Sequence, residues 1–289
     1  MYHKPIVIAE AGCNHMGSME IAHDLILIAA KYCGADAIKF QKRCSRELLT
    51  EEQYNAPHPN SENSYGSTYG AHREFLEFTV EQHAKLKEWC EEVGIIYSTS
   101  VWDLISAKEI VSLNPTFIKI PSASNNNFEM LQWLCKNYKG EIQLSFGMTT
   151  HAEEEEIVGF FEQNGRAKDL VLFACTSGYP VPYEDVCLLE INRIKRLYEN
   201  RVKDIGFSGH HLGTAIDTAA YTLGASIIER HYTLDQSWKG TDHGASLEAD
   251  GIRELVVNLN NVYAALKTKE IEILPIEQVQ RDKLKYRKH

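Results

Sequence analysis

Two histidines lie in matching positions near the end of this 289-residue chain. His210 follows the apolar run in DIGFSGHH, and His231 follows the one in SIIERHYT. In a barrel of parallel strands, such run ends share the face that carries the active site. Two imidazoles from neighbouring strand ends can form part of the ligand shell of a divalent metal, completed by waters, substrate oxygens or a carboxylate. An open shell of this kind favours Mn²⁺, with Mg²⁺ or Co²⁺ as alternatives, over a closed zinc site.

Two lysines interrupt runs that would otherwise be apolar, Lys39 in IKFQ and Lys119 in IKIPS. Burying an unpaired ammonium group is costly, so we expect an anion beside them at least part of the time. Serines at several run ends add hydroxyl donors, and the set predicts a phosphate cradle. The alternative is that each lysine pairs with an acid such as Glu10 or Glu229. Period-two alternation puts Glu229 on the same face as His231, where it could orient the histidine or act as a general base.

The elements that must position these residues are eight short β-rich runs that alternate with amphipathic helical patterns. The runs cover residues 6–12, 37–41, 95–102, 117–124, 141–148, 170–177, 204–210 and 226–233. Most are almost wholly apolar, as expected for parallel strands covered on both faces. The helical patterns are clear at 18–32, 81–93 and 252–266.

Eight such alternations predict a single-domain (β/α)8 TIM barrel over residues 1–268, with a C-terminal tail or linker stub over 269–289. The alternative is an open doubly wound sheet. It is disfavoured because the first run leads into AEAGCNHMG rather than a GxGxxG dinucleotide fingerprint. The polar stretch 44–69 is expected to cross the barrel mouth as a functional loop.

The net charge of −10 argues against a nucleic-acid partner, which would need a basic surface. We also expect no membrane partner, because no apolar run is long enough to span a bilayer and the N-terminus lacks a signal-peptide pattern. Seven cysteines without CxxC spacing are typical of reduced thiols in a cytoplasmic protein.

At these residues the sequence resembles the sialic acid synthase family. The matching stretches are AEAGCNHMGS, ADAIKFQ, FIKIPSASNNNF, LSFGM, CTSGYPVPYEDV, GFSGH and GASIIERHYTLDQSWKGTDHGASLE. The resemblance implies a barrel transferase that condenses phosphoenolpyruvate with the open-chain aldehyde of N-acetylmannosamine or a related aldose. The products would be a nine-carbon 3-deoxy-2-ulosonic (sialic) acid and inorganic phosphate, released by C–O cleavage in a metal-dependent reaction. By analogy, the enzyme would be a homodimer.

The resemblance also implies roles by position. The residues expected at the phosphoenolpyruvate site are Lys39, Lys119, Ser122, Ser145, Ser177 and Ser208. The metal would be held by His210 and His231. The sugar would be faced by Glu10, Gln41, Tyr179 and Asp242, with Glu229 near the metal and the reacting carbon. The residues expected to take part in catalysis are Glu10, Glu229, His231 and Tyr179.

Three departures from the family pattern bear on the site. Many members carry a C-terminal antifreeze-like domain that lends an arginine to the sugar site of its dimer partner. We expect that arginine to be absent here or replaced, with Arg73 or Arg287 as candidates. Ser124 stands where members often have an acid. Finally, SYGSTYGAHREFLEF and QSWKGTDH resemble the branch that uses sugar 6-phosphates, in which His72, Arg73 and Lys239 would meet the second phosphate.

Other functions remain open from the residues. A related enzyme could use mannose, make an eight-carbon ulosonate, or be a metal-dependent aldolase. A non-catalytic sugar-phosphate binding protein would be expected to have lost a site residue, yet both lysines and both histidines are present. Three further histidines, His72, His211 and His243, are expected to be surface or loop residues.

Overall fold

Eight parallel strands close into a barrel, each strand pairing with its neighbours in the sequence and the last pairing with the first. This architecture comes from a computed structural model, which describes residues 2–286. The strands are β1 (Ile6–Gly12), β2 (Ala37–Lys42), β3 (Ile96–Val101), β4 (Phe117–Ile120), β5 (Glu141–Ser145), β6 (Leu170–Cys175), β7 (Asp204–Gly209) and β8 (Ile227–His231). The predicted (β/α)8 barrel is confirmed.

Helices cover the outside of the barrel and the connections between strands. They are α1 (Met19–Ile28), α2 (Ser45–Leu48), α3 (Glu51–Asn55), α4 (Tyr69–Phe75), α5 (Val80–Val93), α6 (Leu104–Ser112), α7 (Phe128–Asn137), α8 (His151–Gln163), α9 (Glu190–Tyr198), α10 (Ala215–Thr222), α11 (Ala249–Ala265) and α12 (Pro275–Leu284). Local sequence sets several starts, since Thr50, Thr79 and Thr150 form capping boxes at α3, α5 and α8. The predicted helix 18–32 is α1 followed by a π-helical turn, Ala29–Cys33.

Several predicted strands are too long at their C-terminal ends. Strand β4 ends at Ile120 because Pro121 follows, and proline has no N–H for the strand ladder. The predicted strand 117–124 therefore gives way to a 3-10 turn at Ser122–Ser124. Strand β5 likewise ends at Ser145, three residues before its predicted end, and β6 ends at Cys175, two residues before its predicted end. Ser122 and Ser177 consequently lie on loops above the strand ends.

The apolar core has two parts, because successive side chains along each strand point alternately out of the barrel and into it. The main part lies between the outer face of the barrel and the helices. A smaller cluster fills the barrel interior and consists of Ile8, Ala37, Phe117, Val171, Phe173 and Ile227. Nearer the C-terminal ends of the strands, the inward side chains become polar and charged. Apolar side chains thus fill the lower interior of the barrel. The polar and charged side chains that could take part in chemistry lie only towards the C-terminal ends of the strands.

The segment predicted as a tail contains α12, and none of the ten residues of that helix is buried. Ile276 and Leu284 are more than three-quarters exposed. Arg287, predicted as a candidate to take the role of the arginine from the family's C-terminal domain, lies outside the described residues. No helix within residues 2–286 combines the length and apolar character that crossing a bilayer requires. All seven cysteines are unpaired.

Gly206 tests how tightly the interior is filled. A β-carbon at this position would lie 2.7 Å from the Phe173 ring, closer than side chains tolerate. We expect Gly206→Ala to lower the free energy of unfolding by about 1–3 kcal/mol through overpacking, measured by urea denaturation. The matched control is Gly159→Ala in α8, where a β-carbon meets nothing within 4 Å. Equal stability changes in both variants would contradict the packing described for the barrel.

Candidate active site

A cavity of about 310 Å³ opens at the C-terminal ends of the strands. Its lining residues are Glu10, Lys39, Gln41, Ser100, Trp102, Lys119, Pro121, Ser122, Ala123, Ser145, Met148, Cys175, Ser177, Tyr179, Ser208, His210, Glu229 and His231. Of the residues predicted for catalysis, the phosphoenolpyruvate site, the metal and the sugar, all except Asp242 are among them. Strand register produces this convergence, because Glu10 pairs with Lys39 on one side and with His231 on the other.

Four buried charged side chains form a chain at the closed end of the cavity. The Nζ of Lys39 lies 2.5 Å from Oε2 of Glu10 and 3.7 Å from Oε2 of Glu229. The Nζ of Lys119 lies 3.0 Å from the same oxygen of Glu229. Two positive and two negative groups therefore balance, and we call these four residues the charge cluster. The alternative given for the lysines, pairing with Glu10 and Glu229, is thus present in the structure. The phosphate cradle stays a prediction.

The two glutamates of the charge cluster differ in their protonation. Burial raises the pKa of Glu10 and outweighs the attraction of Lys39. Burial also acts to raise the pKa of Glu229, but Lys119 and Lys39 together lower it below its usual value. Burial lowers the pKa of Lys119 against the attraction of Glu229. Glu229 is thus the fixed anion, and Glu10 is the carboxyl group that more readily holds a proton.

Hydroxyl and amide groups complete the hydrogen bonding around these carboxylates. Ser208 Oγ donates to Oε1 of Glu229 at 3.0 Å, and Gln41 Nε2 donates to Oε1 of Glu10 at 3.1 Å. Lys39 also donates to Ser100 Oγ at 2.7 Å. The carboxylates are therefore held in place by neutral donors as well as by the lysines.

A second group of hydroxyls surrounds Gly147, in the loop that follows β5. A β-carbon at this residue would collide with the Oγ atoms of both Ser177 and Ser122. Ser145 ends the same strand and also lines the cavity. A glycine is needed here because two hydroxyls from different loops approach the backbone so closely.

The two predicted metal-ligating histidines lie side by side, with ring centroids 5.3 Å apart. The Nδ1 of His210 donates to the carbonyl oxygen of Thr176 at 3.0 Å, which leaves the Nε2 lone pair free to bind a ligand. Burial lowers the pKa of His210 to about 3, so its ring is neutral. The Nδ1 of His231 is buried and has no hydrogen-bond partner within residues 2–286.

These imidazoles fit a divalent cation that takes its other ligands from water or substrate. The Oδ2 atom of Asp242 lies 3.9 Å from the Nδ1 atom of His231. Among the described residues, no group of three or more His, Cys, Asp or Glu side chains is arranged to hold a metal. A cation bound by the two histidines alone would have to take most of its ligands from water or substrate.

Two residues predicted to face the sugar lie towards the rim. Tyr179 lines the cavity, is half-exposed and places its ring 4.4 Å from that of His210. Asp242 instead lines an adjoining recess of about 10 Å³, together with His72 and Lys239. Such a recess holds at most one water molecule. The predicted second-phosphate residues therefore lie beside the main cavity and not inside it.

Arg73 lies behind the cavity wall. Its Nη1 donates to the Tyr69 hydroxyl at 2.8 Å, and its guanidinium carbon is 5.6 Å from the ring centroid of Trp102, which lines the cavity. Ser124, predicted to stand where family members often have an acid, donates to the Trp102 carbonyl at 2.7 Å. Both residues contact Trp102, and neither lines the cavity in the described structure.

Three histidines predicted to be surface or loop residues, His72, His211 and His243, are all buried, so none lies at the surface. His211 and His243 do lie in the loops after β7 and β8, whereas His72 belongs to α4. Each is held by a local hydrogen bond that the sequence pattern did not reveal. The Nδ1 of His243 pairs with Thr233 Oγ1 at 2.7 Å, and that of His72 accepts from the Tyr65 N–H at 3.1 Å. His211 packs against a buried arginine.

Sequence reasoning missed several lining residues, notably Trp102, Met148 and Cys175. Two of them could have been predicted, as the histidines were, from their position at the end of an apolar run. Cys175 ends β6, and Trp102 directly follows β3. Met148 lies in the loop after β5, where a strand had been predicted, so its position depends on where that strand ends.

The architecture and the site together define a TIM-barrel enzyme with its active site at the C-terminal ends of the strands. Residues 25–271 match the NeuB family, and the chain belongs to that family. It is 36% identical over 282 residues to human N-acetylneuraminate-9-phosphate synthase, covering 98% of this chain and 77% of the relative. It is 32% identical to the N,N'-diacetyllegionaminic acid synthase of Campylobacter jejuni, covering 91% of this chain and 78% of the relative.

A solved structure of N-acetylneuraminic acid (sialic acid) synthetase from Leptospira borgpetersenii serovar Hardjo-bovis has the same fold. It superposes with a TM-score of 0.81 at 28% identity and covers 99% of this chain and 94% of its own. These matches confirm the resemblance found in the sequence and the prediction of a synthase-type enzyme. The roles of individual residues, the metal, the homodimer and the cytoplasmic location stay predictions.

The charge cluster makes its own prediction about stability. Lys119→Met leaves Glu229 buried with Lys39 as its remaining cation, and we expect a loss of about 3–5 kcal/mol in unfolding free energy. The double variant Lys119→Met/Glu229→Gln removes both charges and should recover part of that loss. Lys203→Met breaks the more exposed pair with Glu141, and should cost about 0–1 kcal/mol. Denaturant unfolding measures all three, and a double variant no more stable than Lys119→Met would contradict the pairing.

Proposed function

We propose that this enzyme condenses phosphoenolpyruvate with the open-chain aldehyde of an N-acylmannosamine-type aldose. The products are a nonulosonic acid of the sialic type and inorganic phosphate. The observation that carries the proposal is the meeting of the charge cluster and two imidazoles in one cavity. Phosphoenolpyruvate brings two anionic groups, and the aldehyde brings an oxygen on which negative charge develops. The names of the relatives, synthases of sialic and legionaminic acids, support the same class of product.

The reaction forms one carbon–carbon bond and breaks one carbon–oxygen bond. The C3 carbon of phosphoenolpyruvate attacks the aldehyde carbon, and the aldehyde oxygen takes up a proton to become a hydroxyl. Water adds to the electron-poor C2 and gives up a proton. The tetrahedral centre then collapses to a ketone as the C2–O bond to phosphate breaks, and the proton of the C2 hydroxyl passes to the departing phosphate. One water is consumed, and no oxidant or reductant is needed.

The lysines are suited to hold an anion even though glutamates compensate them. An ammonium group has three N–H donors, and Lys119 donates one of them to Glu229 within the described structure. Its Nζ also lies 3.5 Å above the ring centroid of Phe173, which fixes it against the apolar floor. The remaining donors, with the hydroxyls of Ser122 and Ser177, supply a fixed set of partners for phosphate or carboxylate oxygens.

The two glutamates of the charge cluster have different proposed roles, proton transfer for Glu10 and charge stabilisation for Glu229. Glu10 lies in the cavity with a raised pKa, so it can accept a proton from the attacking water and return one to the new hydroxyl. Glu229 stays ionised and stabilises positive charge that develops at C2. We propose that His210 and His231 hold Mn²⁺ or another divalent cation; when bound, it acts as a Lewis acid on the aldehyde oxygen.

The aldose is proposed to be N-acetylmannosamine or its 6-phosphate. The name of the human relative, a 9-phosphate synthase, favours the phosphorylated sugar. Against it, the recess beside His72 and Lys239 is too small to accept a phosphate as it stands. A sugar phosphate would therefore have to lie at the cavity mouth or widen that recess.

Phosphate release tests the proposed function. The protein is incubated with phosphoenolpyruvate and Mn²⁺ and, in turn, N-acetylmannosamine, mannose and their 6-phosphates. We expect release that depends on both phosphoenolpyruvate and an N-acyl aldose, because the enol ester loses phosphate only after carbon–carbon bond formation. Mannose serves as the control for the acyl group. Binding of phosphoenolpyruvate without release in any mixture would instead favour a non-catalytic sugar-phosphate binding protein.

Gly147 tests where the phosphoenolpyruvate anion binds. Gly147→Ala fills the space between Ser122 and Ser177 and should weaken phosphoenolpyruvate binding by about tenfold or more, through displaced hydroxyl donors. Its KM for the aldose should change much less. Gly159→Ala is the control, since its β-carbon lies in open space. If Gly147→Ala raised only the KM of the aldose, the hydroxyls would belong to the sugar site.

A further inference from the structure

A fully buried polar cluster lies on the opposite side of strand β8 from the cavity. It consists of Arg230, His211 and Asp217, each with no exposed surface. Arg230 stands between Glu229 and His231, so strand alternation directs its side chain outward, towards the helix layer. Its neighbours in that layer, such as Ile228 and Phe207, are apolar core residues. A guanidinium in this position is therefore exceptional within the barrel wall.

The guanidinium of Arg230 connects three parts of the chain. Its Nη1 donates to Oδ2 of Asp217 in α10 at 2.5 Å and to the carbonyl of Gly213 at 2.7 Å. Its Nη2 donates to the carbonyl of His211 at 2.5 Å. The Nη1 also lies 3.0 Å from Nε2 of His211, and this nitrogen must accept because a guanidinium has no acceptor. Strand β8 is thereby fixed to the turn that follows β7 and to the first turn of α10.

These contacts begin one residue after His210 and one residue before His231. The ring of His210 is already fixed by the Thr176 carbonyl, and its backbone carbonyl accepts from the Val181 N–H at 3.0 Å. The β7–β8 ladder sets Gly209 opposite Arg230 and ends at that pair, one residue before His210. The guanidinium extends this connection past the end of the ladder, because its partners lie on the 211–217 segment while Arg230 itself precedes His231 in β8.

Stability alone does not account for the cluster. Replacing a buried ion pair by well-packed apolar residues is often neutral or stabilising. The cluster is also incompletely satisfied, since Arg230 Nε, Asp217 Oδ1 and His211 Nδ1 have no hydrogen-bond partner within residues 2–286. Its directional bonds, by contrast, specify one position of the segment after β7 relative to β8, which apolar packing would specify less sharply.

We infer that Arg230 and Asp217 are a positioning pair that fixes the placement of His210 relative to His231. The inference rests on the proposed function, in which those two imidazoles hold a divalent cation. Neither residue lines the cavity, so the pair acts on the reaction only through the two histidines. Breaking it should loosen the placement of the two imidazoles while leaving the phosphoenolpyruvate site in place.

Asp217→Asn tests the pair, with Glu154→Gln as its matched control. Glu154 is also buried and accepts two hydrogen bonds from Arg193, at 2.8 and 2.6 Å, between α8 and α9. Both variants remove the charge of a buried carboxylate that is paired with an arginine, fully buried for Asp217 and partly buried for Glu154, and both are expected to lose stability. Only Asp217→Asn should weaken Mn²⁺ binding to the unliganded protein, by about 10–100-fold in calorimetric titration. Its kcat should fall by more than its KM for phosphoenolpyruvate rises.

Two further measurements make the test decisive. Arg230→Lys keeps the charge but loses the planar fork, and it replaces Asp217→Asn if that variant does not fold. Long-range ¹H–¹⁵N spectra of the histidine rings, recorded without metal, should show the His210 signals shifted or broadened in the Arg230 or Asp217 variant and unchanged in Glu154→Gln.

The outcomes separate the inference from the proposed function. Unaltered histidine spectra and Mn²⁺ affinity in the Arg230 and Asp217 variants, with an active wild-type enzyme, would overturn the positioning pair alone. A wild-type protein that neither binds Mn²⁺ nor releases phosphate would overturn the proposed function. The ring spectra would then still decide whether the pair positions His210.

Discussion

The site depends on one electrostatic constraint: two ammonium groups can remain inside the barrel only because two carboxylates reach them from other strands. Glu10, Lys39, Lys119 and Glu229 come from β1, β2, β4 and β8. Lys119 meets Glu229 across the interior, from β4 to β8, whereas Glu10 and Lys39 are adjacent. The arrangement therefore requires the closure of the sheet between β1 and β8. The pairing of β1 with β8 therefore determines both the fold and the site, since an open sheet would leave Lys119 without Glu229 as its partner.

The apolar layer below the charge cluster has a matching role. Phe173 lies directly beneath the ammonium of Lys119, and the interior at this depth is otherwise apolar. Water is excluded from one side of the charges, which strengthens their interactions and shifts their pKa values. On the other side the cavity is open to substrate. A neutral cluster placed at such a boundary can exchange some of its internal contacts for contacts with an anionic ligand without leaving an unpaired charge in the interior.

The sequence was sufficient for the barrel and for most of the cavity. Strand alternation brought Glu229 and His231 to one face, and the ends of apolar runs located His210, Lys39 and Lys119. It was not sufficient for the partners of the lysines, because β4 and β8 are far apart in the chain and only the closed sheet brings them together. Strand ends were misplaced where Pro121 or a loop took over, since apolar composition continues past the last ladder hydrogen bond.

The same alternation also determines the direction of the Arg230 side chain. If Glu229 and His231 point into the barrel, Arg230 must point out of it, into a layer that packs against helices. A charged residue there needs a buried partner, and its sequence neighbours already mark the region as functional. Strand β8 is consequently held by charges on both of its faces, with Glu229 in the charge cluster and Arg230 bonded to Asp217. A small movement of this strand would disturb both networks, so the position of His231 is determined by contacts that no substrate touches.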